Sequence, residues 1–160
     1  MDFTSRKPNR IADYDYSQDG AYFVTICTQN RRPVLSRITS EGIPCLKPSG
    51  VLAQEMLCKL PGKYPGVYVD RYVIMPDHIH LLLRFQGKKC VAVSELGKVI
   101  GWFKYQVTKQ VNALSGAPGE RFFQRSYYDH VIRNQQDYNE TWEYIRHNPL
   151  KWMIQKRGME

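Results

Sequence analysis

Val67-Tyr68-Val69-Asp70-Arg71-Tyr72-Val73-Ile74-Met75, then Pro76-Asp77, then His78-Ile79-His80-Leu81-Leu82-Leu83-Arg84-Phe85 is the stretch that decides the fold. The β-branched and aromatic residues on either side of Pro76-Asp77 predict two strands, 67–75 and 78–85, joined as a hairpin. Along a strand, residues two apart share a face. Ile79, Leu81, Leu83 and Phe85 are all apolar and make the buried face. His78, His80, Leu82 and Arg84 then share the opposite one.

Outward from this hairpin the pattern continues. Residues 21–28, Ala-Tyr-Phe-Val-Thr-Ile-Cys-Thr, predict an earlier strand. Pro33 to Pro48 reads as loop with room for a short strand. A helix follows from about Ser49, with Leu52, Met56 and Leu60 four apart, and stops at Pro61-Gly62. Residues 94–114 give the clearest helix, with Ser94 as N-cap and Leu96, Val99, Ile100, Phe103, Val107, Val111 and Leu114 on one stripe. A strand is expected within 121–132. Asn134 then caps a last helix running to about His147, before Pro149, with Tyr138, Trp142 and Ile145 as its core face. This order predicts an α+β, ferredoxin-like βαββαβ sandwich with an antiparallel sheet and an extra C-terminal helix. Two helices would cover one face of the sheet and leave the other available for binding.

The chain has 160 residues, enough for one domain over 1–160 with a proper core. Residues 1–19 read as a basic arm and 150–160 as a tail. Lys plus Arg is 23 against 15 Asp plus Glu, a formal charge of +8. That balance suggests a polyanionic partner, nucleic acid before membrane, with plain solubility as the bland alternative. The cysteines, Cys27, Cys45, Cys58 and Cys90, make no Cys-x-x-Cys clip, which argues against a zinc knuckle. The start of the chain lacks an apolar signal region, and no apolar run is long enough for a bilayer. A cytoplasmic protein with reduced thiols and no membrane partner is therefore expected.

Two imidazoles at i and i+2 on a strand can grip one divalent ion. Incidental surface histidines remain the alternative. Arg84, on the same face, can meet a phosphate. On the last helix, Tyr144 falls on the flank, away from the Tyr138 stripe, and Asn148 follows four residues later. Tyr144 is open to two readings: surface packing, or attack on phosphorus with Asn148 giving an oxygen to the same ion. Tyr127 and Tyr128 are rival tyrosines beside a strand. His130 and His147 read as structural, and nothing in the spacing requires Asp129 or Glu143. On the 94–114 helix, Lys98, Trp102, Tyr105 and Lys109 cluster opposite the apolar stripe. They suit base stacking and phosphate pairing, or equally an oligomer interface. Basic residues at both ends (Arg6, Lys7 and Arg10; Lys151, Lys156 and Arg157) can track a nucleic-acid backbone.

The segments Met75–Leu83, Phe123–Asn134, Glu143–Trp152 and Gly20–Thr28 together resemble the HUH single-tyrosine transposases, most closely the REP-associated tyrosine transposases. The likeness runs from about residue 14 to 152. It implies a ferredoxin-like fold, a divalent ion (Mg²⁺ or Mn²⁺), and cleavage and rejoining of single-stranded DNA near a hairpin through a 5′-phosphotyrosine. Carried onto this chain, it makes His78, His80 and Asn148 the metal ligands and Tyr144 the nucleophile. Asp77 stands where such proteins often have Asn. The resemblance leaves monomer and homodimer open. Two other classes compete: a catalytically idle hairpin-binding module for DNA or RNA on the same fold, and a small-molecule hydrolase. The hydrolase lacks an obvious carboxylate base near the pair and gives the positive charge no role.

Overall fold

The structure, a computed structural model, describes residues 20–87 and 95–158. The N-terminal arm, Ser94 and Cys90 lie outside the described residues. Strand β1 (Gly20–Cys27) is followed by a small hairpin, β2 (Ser36–Ile38) and β3 (Pro44–Leu46), and helix α1 (Pro48–Lys63). Then come β4 (Val67–Ile74), β5 (His78–Phe85), α2 (Glu95–Ser115), β6 (Tyr128–Val131) and α3 (Gln135–Gly158). The main sheet has the order β4-β5-β1-β6 with every neighbour antiparallel. This is the expected ferredoxin-like βαββαβ sandwich with a C-terminal helix added. Among the described residues no helix is long and apolar enough to cross a membrane.

Strands β1 and β5 sit in the middle of the sheet and are buried on both faces. Tyr22, Val24 and Ile26 from β1 join Ile79, Leu81, Leu83 and Phe85 from β5 under α1 and α2. The helices contribute Met56, Leu57 and Leu60, and Leu96, Val99, Ile100, Phe103 and Val107. Leu114 departs from its expected place on the α2 stripe and is 72% exposed. Asn112 is buried instead, because its amide donates to the Glu120 carbonyl at 2.8 Å and closes the chain behind the helix.

The other face is not open, contrary to the sequence expectation. Helix α3 lies across it, and Phe23, Val73, Met75 and Leu82 pack with Ile145 and, at the margin, Tyr138, Trp142, Tyr144, Trp152 and Met153. The helix does not stop before Pro149 but continues to Gly158, so the segment read as a tail is helical. Proline inside a helix costs about 3 kcal/mol through its missing N–H and its ring. Trp152 and Met153, half-buried against the sheet cluster, offset part of that. Asn134 caps α3 as expected: its Oδ1 accepts from the Asp137 N–H at 2.8 Å.

Strand β6 is shorter than expected. Residues before it make an isolated bridge, Thr28 to Phe123, and the Lys104 ammonium donates to the carbonyls of Gln124 at 2.5 Å and Arg125 at 3.0 Å. These bonds replace ladder bonds along 121–127.

Gly50 marks a tight contact between α1 and the loop before β2. A Cβ there would lie 2.1 Å from the Leu35 carbonyl oxygen, which is backbone and cannot swing away. Gly50→Ala should therefore destabilise the protein by about 1–3 kcal/mol, the range for overpacking, although alanine is the better helix former. Urea denaturation checks this; an unchanged or raised midpoint would show that the loop yields freely.

Candidate active site

Strand β5 begins directly after Pro76-Asp77, and its alternation sends His78 and His80 to the α3 face. There they are 7% and 3% exposed, so they are not incidental surface residues. Their Nε2 atoms converge to 3.1 Å. Each ring is held by its other nitrogen: His78 Nδ1 lies 2.7 Å from Asp77 Oδ1, and His80 Nδ1 lies 2.9 Å from Thr25 Oγ1. The β1–β5 register causes the second bond by setting Thr25 directly opposite His80.

Burial pushes the Asp77 carboxyl up, but the hydrogen bond and charge of His78, with Arg31, outweigh it and leave Asp77 below the usual carboxylate range. An ionised carboxylate only accepts, so Nδ1 of His78 is the protonated nitrogen. Burial, then the neighbouring His78 and Arg31, hold His80 well below the ordinary histidine value. His80 is therefore the neutral, lone-pair-bearing form that metals require.

Arg31 completes this outer layer. Its Nε donates to Asp77 at 3.2 Å, and its Nη1 meets the Cys27 sulfur at 2.9 Å. The turn after β1 aims it there by placing Asn30 and Arg31 in the left-handed region, at φ 59° and 53°. Asparagine tolerates that region; arginine does so at a cost of about 1–2 kcal/mol. Burial raises the Cys27 thiol although Arg31 pulls the other way.

Helix α3 brings a stripe of side chains over the pair. The Tyr144 ring lies 5.4 Å from the His80 ring and edge-on to Phe23 at 5.7 Å. The Trp152 ring lies 6.1 Å from the His78 ring. Residues four apart stack on one helical face, so Asn148 stands between Tyr144 and Trp152. Burial raises the Tyr144 hydroxyl above the ordinary phenol value, and a hydrogen bond from the Asn148 side chain opposes that rise. The sequence placed Tyr144 and Asn148 on a flank; the structure turns that flank toward the histidines.

The remaining expected residues fall elsewhere. Arg84 shares the face of the pair but is four residues beyond His80, about 13 Å along the strand. Its guanidinium is engaged by Asp70 at 3.0 Å and lies over Tyr68 at 4.4 Å. Lys98, Trp102, Tyr105 and Lys109 belong to α2, on the opposite side of the sheet from α3. Trp102 is half-buried against the core and the Tyr64 ring, while Tyr105 is 62% exposed. Tyr127 is buried in the core under α1 and α2. His130 pairs with Asp137 at 2.8 Å and His147 with Glu143 at 3.1 Å. Tyr138 donates to Asp70 at 2.7 Å, and burial together with that bond pushes its hydroxyl up to about 12.

Sequence reasoning missed Thr25, Arg31 and Trp152 as neighbours of the pair. A threonine in the middle of a largely apolar strand was the signal available for Thr25.

The model of the IS200-like transposases matches residues 17–148. The chain belongs to that family. The matched region contains the histidine pair, Tyr144 and Asn148, and the chain is accordingly a DNA-cleaving transposase by family. It is also 29% identical to an uncharacterized protein of Haemophilus influenzae over 92% of this chain and 89% of the relative. Among solved structures, a REP-associated tyrosine transposase bound to a REP hairpin is similar at a TM-score of 0.58 and 21% identity. That match covers 92% of this chain and 74% of the other. A candidate transposase from Deinococcus radiodurans is similar at 0.50 and 19% identity, over 89% and 97% of the two chains. At these identities the two structures speak to the fold alone.

Proposed function

We propose that this IS200-like transposase cuts and rejoins single-stranded DNA beside a hairpin, with Tyr144 as nucleophile and a divalent ion at His78 and His80. The observation that carries the reading is the stripe Tyr144, Asn148, Trp152 lying over two imidazoles whose Nε2 atoms converge.

The donor set suits an ion. Two nitrogens at adjacent positions of an octahedral ion, each about 2.1 Å from it, lie roughly 3 Å apart, and the two Nε2 atoms are 3.1 Å apart. Among the described residues no group of three or more His, Cys, Asp or Glu side chains could hold a metal. Asn148, one helical turn after Tyr144, suits a third donor: its amide can give its N–H to Tyr144 and its oxygen to the ion. Mg²⁺ or Mn²⁺ held by these three residues would offset the charge that develops on the phosphate.

The protein's own groups do the rest. The Tyr144 oxygen attacks phosphorus and its proton passes to solvent. The phosphorus–O3′ bond breaks, and the departing oxygen takes a proton from solvent to become a 3′-OH. Asn148 stabilises the phenolate by donating to it, which partly answers the effect of burial. The tyrosyl ester keeps the bond energy, so a second 3′-OH can attack it and release the tyrosine without ATP. The tyrosine over the pair is the chain's own, which supports action within one subunit.

The test is incubation with labelled hairpin-bearing single strands, with and without Mg²⁺ or Mn²⁺. A metal-dependent adduct that survives denaturing gels is expected. Binding without any adduct, across strands and metals, would favour the idle hairpin-binding module instead.

Asp77 offers a graded check. Removing the partner of a metal-bound histidine typically costs 10–100-fold in metal affinity. Asp77→Ala should weaken Mn²⁺ binding by that factor in a titration, because the His78 ring loses its fixed tautomer and orientation. Unchanged affinity would place Asp77 outside the site.

A further inference from the structure

Strand β4 is an edge of the sheet, and a cleft of about 390 Å³ opens along it between the β2–β3 hairpin and α3. Its lining includes Arg71, Tyr72, Gln54 and Arg146, and contains no aspartate or glutamate. The volume is that of a small-ligand site. Gln54 and Tyr72 already satisfy each other, the amide donating to the hydroxyl at 2.8 Å.

Arg71 is different. An irregularity in the β4–β5 ladder between Val69 and Arg71 sets it on the α3 face. There its guanidinium lies over the Trp142 ring at 4.7 Å. Its Nε is fully buried and has no hydrogen-bond partner among the described residues. A buried cationic N–H without an acceptor is unfavourable until one arrives. The planar fork of arginine matches a phosphate's paired oxygens. Arg146 adds positive charge at the rim, although Glu143 holds it at 3.2 Å. The cleft is close to the proposed chemistry: Val73, in its wall, is paired in register with His80. Ile145, also in its wall, is the neighbour of Tyr144 in α3.

We propose that this cleft is a nucleotide subsite, in which Arg71 receives a phosphodiester of the single strand next to the one that is cut. The proposal rests on the reading of the chain as a single-strand transposase. It adds a residue and a cleft on the far flank of α3 from Tyr144. The helix would separate two consecutive duties, with the strand passing from Arg71 to the histidine pair.

The experiment is fluorescence anisotropy of the full chain with a labelled twelve-nucleotide pyrimidine strand, in EDTA, over a range of salt. Without metal there is no cleavage to confuse binding. Arg71→Gln should weaken binding by tenfold or more. It should also make the log Kd against log salt slope shallower by about 0.7, the contribution of one phosphate contact on a single strand. Arg71→Met, which fills the same space over Trp142, should behave alike and carries the test if the Gln variant fails to fold. Wild-type affinity and slope in a folded variant would overturn the subsite and leave Arg71 as a packing partner of Trp142. Competition by free thymidine monophosphate as strong as that by the strand would also overturn it, in favour of a free-nucleotide site. The two readings fail separately. Lost binding in the variants with no adduct from the wild type would keep the subsite and sink the chemistry; intact binding with a normal adduct would do the reverse.

Discussion

Tyr144→Phe should abolish the covalent protein–DNA adduct while leaving the fold and DNA binding in place. The substitution removes one oxygen. The ring stays against Phe23 and His80, so the packing under α3 is kept. The cost in stability is that of one hydrogen bond with Asn148, about 1 kcal/mol. The cost in chemistry is far greater, because Tyr144 is the tyrosine whose ring lies against His80, whereas Tyr128 shares that face only from β6, with Thr25 of β1 between it and His80. Tyr138 is tied to Asp70 and holds its proton up to about 12. Tyr127 lies in the core on the other side of the sheet. Loss of an activated nucleophile typically lowers turnover by about 10⁴-fold or more, below detection in a gel assay. Adduct formation by the Phe variant would remove Tyr144 from its role.

His80→Ala should lower adduct formation by at least about a thousand-fold at a fixed Mn²⁺ concentration. Charge stabilisation at a phosphate by a bound ion amounts to several kcal/mol, and each 1.36 kcal/mol is tenfold. The same variant has a reading free of catalysis. An ion that binds only the folded state stabilises it by about 2.7 kcal/mol at a hundred times its Kd. Mn²⁺ should therefore raise the melting temperature of the wild type and of Tyr144→Phe, but not of His80→Ala. An equal upward shift in His80→Ala would show that the ion sits elsewhere.

The strands and their faces were legible because strand alternation is a strong signal where one face is buried. Ile79, Leu81, Leu83 and Phe85 declared the core face of β5, and that assignment fixed where His78 and His80 point. The α2 stripe was equally clear up to Val111. It failed at Leu114, where a side-chain amide, Asn112, took the buried place by capping the following turn. The end of α3 was illegible for a different reason. Pro149 is a local stop signal, and it was overridden by tertiary burial of Trp152 and Met153. That single override had wide consequences. It carried Asn148 into regular helix and brought Trp152 over His78, extending the cover that Tyr138, Trp142 and Ile145 already give that face.

Arg84 shows the limit of face assignment, which says which side a residue points to but not how far along it lies. The α2 cluster shows another, since a helix face opposite the core is exposed without being near the site. Thr25 and Arg31 needed, respectively, a strand register and a left-handed turn before they could be connected to residues 77–80. Arg71 needed the ladder irregularity that sets it beside Trp142.

The most direct measurement traps the adduct from wild-type protein, digests it, and maps the modified peptide by mass spectrometry. The account predicts a nucleotide 5′-phosphate joined to Tyr144, in the helical segment that contains Asn148, and only when Mg²⁺ or Mn²⁺ is present. A phosphotyrosine at Tyr127, Tyr128 or any other residue, or one formed equally in EDTA, would contradict it.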